Sequence, residues 1–149
     1  MRTSFNRIRQ QIRTVTKPDI LPMKTINSVE EFNQCDDQLY TDVVDFLTHI
    51  GGFDIRTALN LCMKEIMTDE LSLSYSWWGN QLDRTLSFHS TKLVNAIQDA
   101  MANNEYFDPP TQAEFKAGMQ EALRVAKQRY RNSQRRANLP AGDQRRRRG

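Results

Sequence analysis

Residues 61–79, LCMKEIMTDELSLSYSWWG, constrain the fold more than any other stretch of the chain. They hold the end of one amphipathic helical pattern, a helix start at Thr68, and a double tryptophan closed by a glycine. Asp69 and Glu70 suit the positive end of a helix dipole, so capping explains this adjacent pair better than acid–base catalysis. The stretch therefore predicts two successive helices and an aromatic mass around which the other segments pack.

Apolar residues recur at helical spacing along most of the chain. Helices are predicted from Ser28, from near Thr41, from Asp54, from Thr68, from about Ser90 and from Thr111 to about Arg136. The methionine-rich face of the third helix is interpreted as core. The fold class is therefore all-α: a compact bundle of about five to six helices with a long C-terminal helix and a disordered basic tail.

Residue chemistry at the helix ends supports these boundaries. Ser28 with Glu31 and Thr111 with Glu114 both fit the capping-box spacing, in which each side chain satisfies the other residue's backbone N–H. Gly51 and the following glycine end the second helix, because glycine adopts positive φ without steric cost. Glycine weakens a helix by about 1 kcal/mol relative to alanine, so a glycine inside the longest helix indicates close packing.

Charge divides the chain into three parts. Net charge is +5 over residues 1–24, −11 over residues 25–123 and +9 over residues 124–149. We interpret residues 1–24 as a basic segment with a proline-containing connector, 25–136 as the helical domain and 137–149 as a disordered arginine-rich tail. A polyanion is expected to be attracted to the two ends and repelled by much of the body.

The N-terminal segment leaves two localisations open. Residues 1–17 contain five Lys/Arg, no acidic residue, and apolar residues on one helical face. This composition is typical of a mitochondrial transit peptide, but also of a basic helix docked on the domain or a coiled-coil remnant. Nucleus is the preferred localisation, with mitochondrion as the alternative. No apolar run approaches the ~20 residues of a membrane span, and no secretory signal follows the N-terminus.

Patterns typical of enzymes and metal sites are missing from the sequence. Cys35, His49, Cys62 and His89 are too far apart to form close zinc-ligand pairs, and both cysteines are interpreted as reduced, buried thiols. There is no glycine-rich phosphate loop, Gly-x-Ser-x-Gly or His-Glu-x-x-His motif. We therefore predict a protein that is not an enzyme, without metal, cofactor or small-molecule substrate.

The double tryptophan is the first candidate binding feature. Adjacent residues rarely both point inward, so we expect one of Trp77 and Trp78 to anchor the core and the other to be partly exposed. An exposed tryptophan can stack on a base or fill a pocket of a protein partner. The alternative is that both cover a seam between helices. Gly79 is expected to allow a turn, and a short extended segment is possible within residues 80–88.

Four blocks carry a resemblance to a known family. They are LTHIGG at 47–52, TDEL at 68–71, SWWG at 76–79, and Phe88 followed by Lys92-Leu93 and Ala96-Ile97. In this order they resemble a domain family of unknown function found in insect and transposon-associated proteins. The resemblance extends over about residues 21–131. That family is in turn distantly similar to BEN domains, which are all-α modules implicated in DNA binding and protein–protein contacts in chromatin.

The resemblance implies a nuclear, non-enzymatic role linked to transposons or chromatin. The chain departs from the family pattern after the tryptophan block, where relatives tend to be basic and residues 80–84 read NQLDR. A loop that reaches phosphates in relatives would do so poorly here. No base-reading side chain can be nominated from the sequence.

Two functions are therefore predicted. The first is a nucleic-acid-binding module with largely non-specific phosphate contacts from Arg124, Lys127, Arg129, Arg131, Arg135, Arg136, Arg145, Arg146, Arg147 and Arg148. The alternative is a protein-interaction or self-association module that binds a partner or a second copy through Trp77 or Trp78. In that alternative, the arginine run is only a nuclear-import signal.

Overall fold

The structure is a computed structural model that describes residues 15–138. Two strands, β1 (Tyr75–Ser76) and β2 (Leu86–Ser87), pair in parallel. The helices of the described part are α1 (Ile26–Asn33), α2 (Asp37–Ile50), α3 (Ile55–Ile66), α4 (Asp69–Ser72), α5 (Lys92–Asn103) and α6 (Gln112–Ala137). The prediction of a mostly helical fold with a long C-terminal helix is confirmed. Residues 1–14 of the basic N-terminal segment and residues 139–149 of the tail predicted at 137–149 lie outside the described residues.

Helix α3 occupies the centre of the fold. It packs against α2 and α5 and also against α6, which additionally contacts α4. Its apolar face, including Cys62, Met63 and Ile66, is fully buried, so the interpretation of the methionine-rich face as core is confirmed. Burial raises the pKa of the Cys62 thiol to about 12. Both cysteines are unpaired, but Cys35 is only half-buried, so its prediction as a buried thiol was partly wrong.

The predicted starts of the first two helices were wrong. Thr25, not Ser28, is the N-cap of α1, and its side chain accepts a hydrogen bond from the Ser28 N–H. Asp36 is the N-cap of α2, so this helix begins several residues before Thr41. In both cases a second residue suited to an N-cap lies about one turn upstream of the predicted start. The residue type alone does not show which of the two begins the helix.

The remaining predicted caps are confirmed. Asp54 and Thr68 are the N-caps of α3 and α4. Thr111 and Glu114 form the predicted capping box at the start of α6. A Cβ on Gly118 of α6 would collide with the Leu59 side chain of α3. This glycine therefore allows the close approach of two helices that the sequence predicted.

The proline-containing connector packs against the helical body. Leu21 and Met23 are buried in the hydrophobic core. The Met23 N–H donates to the Ile66 carbonyl at 2.8 Å, and the Thr68 N–H donates to the Met23 carbonyl at 2.9 Å. Residues 21–23 are thus held against the junction of α3 and α4, where they complete the core.

Long-range polar contacts fix α5 against the first two helices. Asn33, at the end of α1, accepts a hydrogen bond from the Lys92 N–H at the start of α5, at 2.8 Å. The Tyr40 hydroxyl of α2 donates to Asp99 of α5 at 2.6 Å. Burial, followed by this hydrogen bond, raises the pKa of the Tyr40 phenol. These contacts hold α5 in register, which matters because α5 forms one wall of the groove described below.

Candidate functional site

The last two turns of α6 project beyond the hydrophobic core. Ala126 is the last buried residue of this helix, and residues 131–138 are all exposed. The guanidinium groups of Arg131, Arg135 and Arg136 are therefore exposed to solvent, on a helix end that buries no side chain in the core. Arg145 to Arg148, which are also predicted phosphate contacts, lie outside the described residues.

One side of α6 collects most of the cations of the helix. At ~100° per residue, five of them lie within a sector of about 100°. Glu114 and Glu121 of the same helix fall outside this sector. We call this sector the cationic face, which consists of Lys116, Arg124, Lys127, Arg131 and Arg135. Lys116 was not among the sequence candidates because it lies far from the basic end of the helix.

The environment of Lys127 shows which part of the fold borders the cationic face. Its side chain is half-buried, and this burial, followed by repulsion from Arg131, lowers the pKa of its ammonium group. Attraction to Asp83 opposes the shift. Asp83 belongs to the connection between β1 and β2, so this connection runs beside the face. Lys127 is therefore less accessible than Arg131 and Arg135.

Arg124 is the member of the face with a partner on its own helix. It makes two hydrogen bonds to the Glu121 carboxylate one turn away. These bonds lower the pKa of Glu121. The pair is exposed, so Arg124 can exchange this neighbour for another anion at little cost.

Arg129 has a role within the fold that the sequence analysis missed. Its guanidinium donates from Nε and Nη2 to the two Asp69 carboxylate oxygens, both at 3.0 Å. The pair joins α6 to α4 across 60 residues of sequence. The Arg129 side chain is about three-quarters shielded from solvent, and the Asp69 side chain about two-thirds. Neither residue pattern nor spacing signals such a contact. Arg129 and Arg136 point away from the cationic face.

Replacing Arg129 by alanine is expected to lower the free energy of unfolding by about 1–2 kcal/mol, because a bidentate, partly shielded pair is lost and the Asp69 carboxylate is left without this partner. Urea denaturation followed by circular dichroism measures this change. Arg124→Ala, which removes a more exposed pair within one helix, is the control and should leave the midpoint nearly unchanged. Equal midpoints for the two variants would contradict a structural role for Arg129.

A second feature is a groove beside the double tryptophan. Trp77 is 9% exposed and Trp78 is 57% exposed, which confirms that one anchors the core while the other faces solvent. The groove has a volume of about 400 Å³. We call it the aromatic groove; its lining comes from the β1–β2 region, α5 and the first turns of α6: Trp77, Trp78, His89, Val94, Asn95, Gln98, Gln112, Ala113, Phe115 and Lys116.

The rim of the groove is built around the Trp78 ring. The His89 ring lies 4.6 Å from it in an edge arrangement, and Lys116 Nζ lies 4.7 Å from its centroid. His89 is oriented by a 2.7 Å hydrogen bond between its Nδ1 and the Ser87 hydroxyl. Gly79 has φ +84°, and a Cβ there would approach the Ser87 N to 3.1 Å. The predicted turn at Gly79 is thus present and brings the tryptophans against β2.

The polar side chains that line the groove are neutral or basic. Its lining contains no Asp or Glu, although the surrounding body is acidic. It contains one lysine, one histidine and three amide side chains, those of Asn95, Gln98 and Gln112. The Trp77 indole Nε1 is buried without a hydrogen-bond partner in the described structure. The arrangement offers stacking surface, amide hydrogen bonds and positive charge.

Two findings bear on the other functional predictions. No cluster of three or more His, Cys, Asp or Glu side chains suited to a metal ion occurs within residues 15–138. None of the helices in that range is both long enough and apolar enough to cross a membrane.

The chain matches no protein-family model, no curated protein and no solved structure. The resemblance to insect and transposon-associated domains, and through them to BEN domains, therefore stays a prediction made from the four sequence blocks.

Proposed function

We propose that the protein is a non-enzymatic, nuclear nucleic-acid-binding module that contacts phosphates through the cationic face of α6. One observation carries this proposal: five Lys/Arg side chains share a sector of about 100° on one helix, and no Asp or Glu of that helix falls within it, while residues 25–123 have a net charge of −11. A polyanion approaching this body meets an attractive surface along α6 and repulsion over much of the rest. The role in chromatin or transposon biology is supported by the sequence resemblance alone.

The geometry of α6 suits contacts to a phosphate backbone. From Lys116 to Arg135 the helix rises about 28 Å at 1.5 Å per residue. The end that carries Arg131 and Arg135 has no other element of the described fold packed around it, since every side chain from 131 to 138 is exposed. Arginine forms bidentate hydrogen bonds with phosphate, and such contacts are largely independent of base sequence.

The proposal predicts different effects for two neighbouring arginines. Arg135 lies on the cationic face, whereas Arg136 lies about 100° further round the helix. Arg135→Ala or Arg131→Ala should weaken binding to duplex DNA about 5- to 10-fold near ~0.1 M salt and reduce the salt slope by about one unit, because each loses one phosphate contact. Arg136→Ala should weaken binding less than about 2-fold. Fluorescence anisotropy with labelled duplex at several salt concentrations measures both quantities.

The Arg135 and Arg136 variants remove the same charge from neighbouring positions that are both exposed, so they form a matched pair. Equal losses for both would indicate attraction to net charge and contradict a defined face. Full affinity in all three variants would overturn the proposed role of α6, and a wild-type chain that does not bind near physiological salt would overturn nucleic-acid binding itself.

The second candidate is a protein-interaction or self-association module. It is favoured by the exposure of Trp78 and by a pair that the sequence analysis missed, Phe53 and Tyr106. These side chains are 76% and 60% exposed and contact each other edge to face at 4.7 Å between ring centroids. A mass that increases with concentration in sedimentation equilibrium, without nucleic-acid binding, would favour this second function.

A further inference from the structure

We propose that the aromatic groove holds an unpaired base, so that the protein binds single-stranded nucleic acid in preference to duplex. This inference rests on the proposed function and deepens it. The cationic face explains attraction to any phosphate backbone, whereas the groove explains which form of nucleic acid is preferred. Its basis is the combination of an exposed indole, three amide side chains and an acid-free lining.

The exposed indole supplies a stacking surface. Trp78 lies more than half exposed at the rim, and its ring contacts the neighbouring His89 ring. Lys116 now covers the indole, but its own side chain is exposed, so the ammonium group can move to a phosphate when a base arrives. Stacking of a base on tryptophan is independent of base identity because every base has a π-face. In a duplex this face is already occupied by neighbouring base pairs.

The amide side chains supply hydrogen bonds to a base edge. Asn95 and Gln98 lie one turn apart on α5, and Gln112 lies in the first turn of α6 on the facing wall. None of the three amides forms a hydrogen bond with another residue in the described part of the chain. An amide offers both a donor and an acceptor, which matches the mixed donor and acceptor pattern of unpaired base edges.

Charge favours an anionic chain over a neutral or basic partner. The lining has Lys116 and His89 but no carboxylate, within a body that is otherwise strongly acidic. Lys116 also belongs to the cationic face, so the groove and the face share this residue at the N-terminal part of α6. A strand with one base in the groove can therefore place its following phosphates along α6 towards Arg131.

The test uses the full chain with a fluorescein-labelled single-stranded oligonucleotide and the corresponding duplex. The wild-type protein should bind the single strand more tightly, with quenching of tryptophan fluorescence. Trp78→Ala should weaken single-strand binding about 5- to 100-fold and leave duplex binding within about 2-fold. Trp78→Phe keeps a ring and should retain most of the affinity. Leu82→Ala, an apolar truncation at 94% exposure on the same connection, is the matched control and should bind like wild type.

Each outcome separates this inference from the proposed function. If Arg131→Ala weakens binding to both nucleic acids while Trp78→Ala changes neither, the groove inference is overturned and the proposed function stands. Equal losses on single strand and duplex for Trp78→Ala would also overturn it. If the wild-type chain binds neither, the proposed function fails. Quenching by polyglutamate but not by the oligonucleotide would overturn the inference and assign the groove to an acidic peptide.

Discussion

Replacing Gly52 by alanine is expected to lower the free energy of unfolding by about 3–5 kcal/mol. Gly52 has φ +115°, a conformation that residues with a Cβ rarely adopt. An added Cβ would also lie 2.7 Å from the Ala58 Cα and 2.9 Å from the Ala58 N. These are backbone atoms of the central helix α3, so no side chain can rotate to relieve the overlap. Denaturation in urea, with helicity as the signal, measures the loss.

Gly51 provides the matched control for this prediction. It also has positive φ, +78°, but a Cβ there would meet only the His49 carbonyl oxygen at 3.9 Å. Gly51→Ala should therefore cost only the conformational strain of this backbone conformation, about 1–3 kcal/mol. The difference between the two variants isolates the contact between the α2–α3 turn and Ala58. Similar losses for both would mean that Gly52 is not pressed against α3, and the packing of this turn would have to be revised.

The two glycines show what the sequence could predict and what it could not. A Gly-Gly pair after an apolar helical pattern correctly indicated the end of α2, because the signal is local. Only one of the two glycines touches Ala58, however, and their sequence environment does not distinguish them. The same limit applies at the helix starts: Asp54 was recognised as an N-cap, whereas Thr25 and Asp36 were overlooked in favour of neighbouring positions.

Some features of the candidate site were predictable from the sequence and others were not. The exposed arginines at the end of α6 and the contrast between Trp77 and Trp78 follow from local composition and adjacency, and both were predicted. The pair of Arg129 with Asp69 joins residues 60 positions apart, and no local pattern reveals it. The groove lining comes from four separate segments of the chain, so its amides and Lys116 became visible only when α5 and α6 were placed side by side.

The acidic body and the cationic face act together in the proposed function. A uniformly basic domain would bind nucleic acid in many orientations. Here the negative charge around the cationic face disfavours every orientation in which the nucleic acid contacts another surface. The 80–84 connection, with Asp83 next to Lys127, extends this negative charge to the border of the face. In the proposed function, the contact surface is therefore restricted to the exposed side of α6.

Trp77→Ala is expected to lower the free energy of unfolding by about 3–5 kcal/mol, whereas Trp78→Ala should change it by less than about 1 kcal/mol. Trp77 is 9% exposed and belongs to the hydrophobic core, so truncation leaves a cavity between the β1–β2 region and the helices. Trp78 loses surface contacts with Lys116 and His89 and an edge contact with the Trp77 ring. Urea denaturation of both variants, followed by circular dichroism, tests the contrast.

This contrast also decides whether the binding experiments can be interpreted. A stable Trp78→Ala variant that loses single-strand affinity has lost a contact, because its fold is intact. Trp77 makes no hydrogen bond through its indole N–H within the described structure. Its contribution therefore comes from burial and from ring contacts with Trp78 and His89, and Trp77→Phe should recover much of the stability. If Trp78→Ala were as destabilising as Trp77→Ala, both indoles would serve the core, and the aromatic groove would be a structural seam without a ligand.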